Sequence, residues 1–323
     1  MHRLARSLAD GRFHSGEGLA AELGVTRAAV WKQLKRLTER TGLRVHAVRG
    51  RGYRLAEALE LLDEQRLRAA LPGDVAAQLE RIAVLSSVDS TNSFLVRQPH
   101  PGIGRGAACL AEHQTAGRGR RGRGWVTPYG AGLALSFAWR FELPLAALSG
   151  LSLAVGVVLA EALQQLGLNG HQLKWPNDLH VDGRKLAGIL VEAYGESHGP
   201  TLVVVGLGLN LRLPQEHAAT IDQPWTDLAS AGLPGVSRNT LAADLLHRLV
   251  VACNGYANTG LGDFLRRWEA FDGYRGREVQ LTSGNRVVRG RYLGIDDTGA
   301  LRLDVAGRQE LFHAGEVSLR VSN

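Results

Sequence analysis

The stretch GRGRRGRGW, residues 117–125, places four arginines and four glycines in nine residues. Glycines at 117, 119, 122 and 124 make such a segment costly to order. It therefore reads as a loop, mobile until something anionic pins it. It has no GK[ST] ending of a Walker A loop and no strand–GxGxxG–helix setting of a dinucleotide fold. Its flanks are strand-like: Ala107–Glu112 before it and Leu133–Trp139 after it. The loop thus joins two strands of a sheet. Three roles compete for it: a basic arm on nucleic acid, a lid over a small anion, or a solvated connection.

The charge map weighs against the first. The net charge of the 323-residue chain is +7, but residues 1–60 carry 12 Lys/Arg against 6 Asp/Glu. Beyond residue 60 the net is +1, and the loop's own four arginines exceed it. A broad nucleic-acid surface recruits more basic neighbours than that. The field suited to nucleic acid lies in the first sixty residues.

Those residues contain EGLAAELGVTRAAVWKQLKRLTERTG, two helices with a tight turn. Leu19 and Leu23 are four apart, Gly24 breaks the first helix, and Thr26 caps the second. Val30, Leu34 and Leu37 share one face; Arg27, Trp31, Lys32 and Lys35 fall on the other. Two strands follow, Arg44–Val48 and Tyr53–Leu55, flanking a turn at Arg49–Gly52. A helix-turn-helix with a basic wing suits the major groove and its phosphates, and a dimer on a two-part site is expected. A helical protein–protein module is the alternative. Trp31 is unusual on a DNA-facing surface, where packing against the wing is the other reading.

Glu57–Leu71 reads as a connecting helix or linker, closed by Pro72-Gly73. Further strands are expected at Arg81–Ser86, Leu173–Trp175, Leu179–Val181, Lys185–Ala193 and Thr201–Asn210. Helices are expected at Asn92–Arg97, Leu148–Leu166, Arg238–Tyr256 and Leu261–Phe271. The pattern is α+β, a mixed sheet flanked by helices. The last fifty residues are short strands with turns at Ser283-Gly284-Asn285 and Asp297-Thr298-Gly299, a separate small β-barrel. The expected boundaries are 1–62 for the winged helix, 63–80 for a linker, 81–272 for the central domain and 273–323 for the barrel.

The hydrophobic content of 45% is enough for a real core. Two cysteines, Cys109 and Cys253, lie far apart and fit a reducing compartment. The N-terminal MHRLARSLADGRF lacks the apolar core of a signal peptide. The most apolar run, Leu145–Ala160, is interrupted by serines and glycines and reads as a buried helix, not a membrane span. A cytoplasmic protein is expected.

Four more stretches can carry chemistry. DSTN, Asp89–Asn92, follows a strand and can cap a helix or bind a polar ligand. KWPND, Lys174–Asp178, sets a cation, an aromatic, an amide and a carboxylate around a proline; Asn177 or Asp178 can serve magnesium or a nucleotide, or a plain turn. GRKLAGILVE, Gly183–Glu192, opens a buried strand with Lys185, which either snorkels or meets a phosphate. VVVGLGLNL has Gly206 and Gly208, where a ligand can approach closely, and then Asn210.

In this order, with the arginine loop, these stretches resemble the biotin protein ligases. The N-terminal helix-turn-helix resembles that of the bifunctional form, ligase and biotin operon repressor. The resemblance runs over nearly the whole chain. It implies a central domain of the biotin/lipoate ligase type and an SH3-like C-terminal barrel. It implies ATP and biotin as substrates, with Mg2+, joined as biotinyl-5′-AMP. The biotin then passes to a lysine of a biotin carboxyl carrier protein, the acetyl-CoA carboxylase carrier domain. By resemblance Lys185, Arg118 and Asp178 are catalytic, with Asp178 serving magnesium or the carrier lysine. Ser90, Thr91, Asn92, Gln114, Arg118, Gly119, Arg120, Lys185, Leu190 and Gly206 would bind biotin. Arg118, Arg120, Arg121, Trp125, Asn177, Lys185 and Asn210 would bind the adenylate. Thr26, Arg27, Lys32, Lys35, Arg49 and Arg51 would meet operator DNA, as a homodimer promoted by the adenylate as corepressor. The alternatives are a ligase with a vestigial DNA-binding domain, a lipoate-type ligase, and a sensor with a dead enzyme domain.

Overall fold

The computed structural model describes residues 2–196, 198–214, 221–283, 286–313 and 317–321. The N-terminal unit begins with a helix that the sequence pattern had not marked, α1 (His2–Leu8), whose Leu4, Ala5 and Leu8 are fully buried. Helices α2 (Gly16–Leu23) and α3 (Arg27–Thr41) follow as expected. Gly24 ends α2 in the left-handed region at φ 68°, and the Thr26 hydroxyl caps α3 by accepting from the Ala29 N–H at 3.2 Å. Val30, Leu34 and Leu37 are buried, as their spacing requires.

The wing is a hairpin of β1 (Val45–Val48) and β2 (Gly52–Leu55). Gly52 lets it approach the rest of the unit: a Cβ there would lie 2.0 Å from the His14 carbonyl oxygen. His14 and Tyr53 exchange both backbone hydrogen bonds at 2.8 Å across this contact. Trp31 is not buried under the wing. It is 54% exposed on α3.

Residues 63–80, expected as a linker, are folded into the central body. Helix α4 (Glu64–Ala70) is capped by Asp63, and the short α5 (Gly73–Ala76) follows it after Pro72. Leu62, Leu67, Leu71, Val75 and Leu79 all join the main core. The charged residues that made this stretch look like a linker lie on its outer face, and the leucines face inward.

The central sheet has seven strands: β3 (Leu79–Leu85), β4 (Gly106–Ala111), β5 (Gly132–Phe141), β6 (His171–Lys174), β7 (Asp178–Val181), β8 (Arg184–Gly195) and β9 (Thr201–Asn210). Their order is β3-β4-β5-β9-β8-β7-β6, and β3/β4 is the parallel pair in an otherwise antiparallel sheet. Strand alternation gives the sheet two faces. Leu133, Leu135, Phe137, Val203, Val205, Leu207, Ala187 and Ile189 point into the main core. That face carries α7 (Leu151–Gln165), α8 (Arg238–Thr259) and α9 (Gly262–Glu269). The apolar run from Leu145 is long and apolar enough by composition to cross a membrane, yet α7 is buried as a core helix. The opposite face is covered at one end by α6 (Thr91–Val96), over Ala107, Cys109, Ala138, Leu202 and Val204. Its other end is left for the site.

The C-terminal unit is a five-stranded antiparallel sheet, β10 (Glu278–Ser283), β11 (Arg286–Ile295), β12 (Leu301–Val305), β13 (Arg308–Phe312) and β14 (Val317–Val321), in the order β13-β12-β11-β10-β14. Gly284 and Asn285 of the expected first turn lie outside the described residues. The second turn is present: the Asp296 carboxylate accepts from the Thr298 and Ala300 N–H groups at 2.9 and 2.8 Å. The Trp175 indole donates to the Gly299 carbonyl at 3.0 Å, joining this unit to the KWPND stretch.

One buried ion pair joins the start of α8 to the end of the central sheet. Arg238, at the start of α8, meets Glu112, just past β4, at 2.6 Å with side chains 5% and 0% exposed. Removing one partner strands a buried charge, so Glu112→Met should destabilise the chain by about 3–5 kcal/mol. The double replacement Glu112→Met, Arg238→Met should recover much of that loss. Denaturant titration of the three proteins checks it; equal losses in the single and double variants would refute the assignment.

Candidate active site

The cavity has a volume of about 1120 Å³ and lies on the α6 face of the sheet. Its floor follows from period-2 alternation. Gly188 and Leu190 on β8, and Gly206 and Gly208 on β9, point away from the core residues beside them. The glycines are demanded by what lies on them. A Cβ on Gly208 would be 2.3 Å from the Trp125 ring, and one on Gly206 would be 2.4 Å from Asn92 Oδ1. Trp125 therefore rests on a glycine floor that any side chain at Gly208 would lift it from.

One end of the cavity is a network of short polar side chains. Gln114 accepts at Oε1 from the Thr91 N–H and hydroxyl at 2.9 and 3.0 Å, and donates to Thr127 at 3.1 Å. The Ser136 hydroxyl donates to Thr91 Oγ1 at 2.7 Å and also bonds Asn92 Oδ1. Ser90 caps α6 by accepting from the Ser93 N–H. Asp89 is not part of this lining. It accepts two hydrogen bonds from Arg97 at 2.7 and 2.8 Å, and the guanidinium holds its carboxyl down at about 2.

The arginine loop closes one side of the cavity as a small hairpin. Gly119 N–H donates to the Arg123 carbonyl at 2.7 Å and Trp125 N–H to the Gly117 carbonyl at 2.9 Å. Arg121, at φ 56°, sits in the left-handed region, which costs a non-glycine residue roughly 1–2 kcal/mol. Arg120 donates to Asn177 Oδ1 at 3.1 Å. Burial pulls its guanidinium below the ordinary value; Asp178 opposes this, and Arg121 and Arg123 add to it. The loop thus concentrates positive charge against the cavity.

At the far end, Lys185 Nζ lies 2.8 Å from Asp178 Oδ1 and 5.7 Å from the centre of the Trp125 ring. Its backbone is fixed by the 221–226 segment: Lys185 N–H donates to the Pro224 carbonyl, and Thr226 N–H to the Lys185 carbonyl, both at 2.9 Å. Lysine on this strand is therefore not snorkelling to solvent. Burial alone would raise the Asp178 carboxyl, but His180 and Lys185 beside it outweigh burial and bring it to about 2.

The structure brings Ser90, Thr91, Asn92, Gln114, Arg118, Gly119, Arg120, Arg121, Trp125, Asn177, Asp178, Lys185, Leu190 and Gly206 to this one cavity. Asn210, expected at the adenylate, is placed otherwise. Its side chain is buried and donates to the Thr226 carbonyl at 3.0 Å, and it does not line the cavity. Its amide holds the 221–226 segment against the end of β9. The motif-based reading missed Ser136 and Glu192, whose positions on the site face follow from alternation along β5 and β8. It also missed Tyr274 and Arg277, which reach the cavity from beyond α9 and carry no local signal. Of the residues expected at DNA, Arg27, Lys32, Lys35, Arg49 and Arg51 are exposed on α3 and the wing, Thr26 is the α3 cap, and Arg51 also stacks 4.3 Å from the Phe13 ring centre.

Comparison with known proteins agrees with this layout. Residues 84–210 match the biotin/lipoate A/B protein ligase family, residues 275–320 the biotin protein ligase C terminal domain, and residues 4–54 an HTH domain. The chain is 42% identical over 321 residues to the bifunctional ligase/repressor BirA of Escherichia coli, covering 98% of this chain and 96% of that one. It is 37% identical to the biotin–[acetyl-CoA-carboxylase] ligase of Mycobacterium tuberculosis over 79% of this chain and 95% of that one. The solved biotin protein ligase of Aquifex aeolicus, in complex with biotin and ATP, superposes with a TM-score of 0.64 at 28% identity, covering 75% of this chain and all of that one. The chain belongs to the biotin protein ligases, in the form that joins the ligase to an N-terminal DNA-binding domain as a bifunctional ligase and repressor.

Proposed function

We propose that this chain joins biotin to ATP as biotinyl-5′-AMP, transfers the biotin to a lysine of a carrier domain, and uses the same adenylate as the signal for DNA binding. The observation that carries the reading is the convergence of Lys185, Arg118 and Arg120 on one cavity that also holds the polar network of Thr91, Gln114 and Asn92. A carboxylate oxygen must attack the α-phosphorus while pyrophosphate leaves. Both reactants are anions, so fixed cations lower the barrier by meeting charge where it concentrates. Lys185 and the loop arginines supply it. In the second step the carrier amine attacks the acyl carbon and AMP leaves. The hairpin of residues 117–125 would shield this mixed anhydride from water.

Asp178 is one carboxylate already held by a lysine, and among the described residues no group of three His, Cys, Asp or Glu could hold a metal. This donor set does not fit a resident ion. It fits magnesium arriving on ATP and held chiefly by phosphate oxygens. Asp178 then holds the Lys185 ammonium in place across the 2.8 Å pair.

The exposed cations of α3 and the wing support phosphate contacts on DNA. A ligand that favours a homodimer would favour a two-part operator, and by linkage the dimer would hold the ligand better. Two buried free cysteines fit a cytoplasmic setting.

Lys185→Met should cut carrier biotinylation by about 100-fold or more while the chain still folds, with a lower melting temperature because Asp178 loses its partner. Mass spectrometry of a carrier domain incubated with ATP and biotin reads this directly, and a normal mass gain with the variant would remove Lys185 from the chemistry. Replacing both Lys32 and Lys35 with Ala should weaken DNA binding and make its salt dependence shallower by about two ions. An unchanged slope would place the phosphate contacts elsewhere.

Because the folded value of Asp178 lies below its ordinary 3.8, its pairing stabilises the fold above that value and is lost as pH falls through about 2. Adenylation should therefore show no limb from Asp178 between about pH 5 and 8. Finding such a limb in the wild type, and losing it in Asp178→Asn, would contradict this.

A further inference from the structure

Glu192 lies on the same face of β8 as Gly188 and Leu190, two residues beyond the cavity floor. A carboxylate beside a site built for anions is repulsive unless it is neutralised. Here one oxygen, Oε2, accepts two hydrogen bonds: from Asn92 Nδ2 at 2.8 Å and from Arg118 Nη2 at 2.7 Å. Asn92 is itself fixed. Its Oδ1 bonds the Ser136 hydroxyl of β5, and Gly206 leaves it the room it occupies. Tyr194, one strand repeat further on, flanks the pair.

We propose that Glu192 is the positioning residue that ties the base of the arginine loop to the sheet. The path runs from Ser136 through Asn92 and Glu192 to Arg118, linking β5, α6, β8 and the loop. Binding Glu192 through Nη2 uses one of the five N–H donors of a guanidinium, so Arg118 can serve an anion without leaving the tether. The carboxylate places the loop's first arginine at the cavity edge and cancels its own charge there. Lys185 and Asp178 repeat the arrangement at the far end. The tether stands on geometry alone; its consequence for ligands rests on the reading of this cavity as a biotin and ATP site.

The test has one arm for each. Without any ligand, trypsin can cut the loop after its four arginines. Losing a charge-assisted hydrogen bond that is only partly buried should make Glu192→Gln nick about fivefold faster than the wild type at an equal melting temperature. In an Arg118→Gln background Glu192→Gln should add nothing, since both changes cut one bond. If Glu192→Gln fails to fold, Arg118→Gln, which cuts the bond from its more exposed side, takes its place in the nicking arm alone, read at the three remaining arginines. In the second arm, AMP release from biotin and ATP in the presence of a carrier domain, whose lysine takes the biotin, should show KM raised about fivefold with kcat changed less than twofold. Equal nicking in variant and wild type overturns the tether. Faster nicking with unchanged KM overturns its role in holding ligand. A wild type that makes no AMP would overturn the ligase reading instead, while the nicking rates still decide the tether.

Discussion

The buried pair of Arg238 and Glu112 is the constraint on which the joining of the connecting segment to the central sheet and its core helix depends. Glu112 lies just past β4, one residue before His113 and two before Gln114 of the cavity, and it also accepts from the Leu62 N–H at 2.6 Å. Arg238 opens α8 and donates in addition to the carbonyls of Gly132 and Glu60, at 3.0 and 2.9 Å. Glu60 lies in the segment leaving the winged helix, and its carboxylate accepts from Ser237 and Asn239. Two charges taken out of water thus gather the connecting segment, the site strand and the core helix at one point. Hydrophobic residues alone would bury the same area without selecting that register, because their contacts carry no direction.

Tyr129 extends the junction on the other side. It follows the arginine loop in sequence, yet its ring is buried in the core of the N-terminal unit with Leu4, Leu8 and Leu59 nearby, and its hydroxyl meets Ser86 at 3.2 Å. The chain that leaves the cavity lid therefore enters the core of the DNA-binding unit within four residues. The ligase domain and the helix-turn-helix domain of this chain are thus packed together at Tyr129.

Within the site, the dominant theme is charge held by charge. Lys185 is paired with Asp178 and Arg118 with Glu192, so the cations are placed before any anion arrives. Preorganisation of this kind avoids reorganisation at the moment of reaction. The glycine floor has the complementary role of letting Trp125 and Asn92 come down onto the sheet.

Most elements were legible in the sequence because their signals are local. The i, i+4, i+7 spacing of Val30, Leu34 and Leu37, the Thr26 cap, the alternation along β5, β8 and β9, and the glycine-arginine loop each declare themselves within a few residues. Where signals were ambiguous, packing decided. The first helix was hidden in a short basic stretch, and the charged outer face of α4 made it look like a linker. By itself the sequence determined the order of elements, the separation of the DNA-facing charge from the loop charge, and the set of motifs that meet at the cavity. Only the tertiary structure decided that Asn210 braces a neighbouring segment, that Glu192 and Ser136 bond side chains that line the site, and that Tyr274 and Arg277 reach it from between α9 and β10. Those roles depend on which side chains face each other across strands and units far apart in the chain, and no local pattern of residues encodes such a distance.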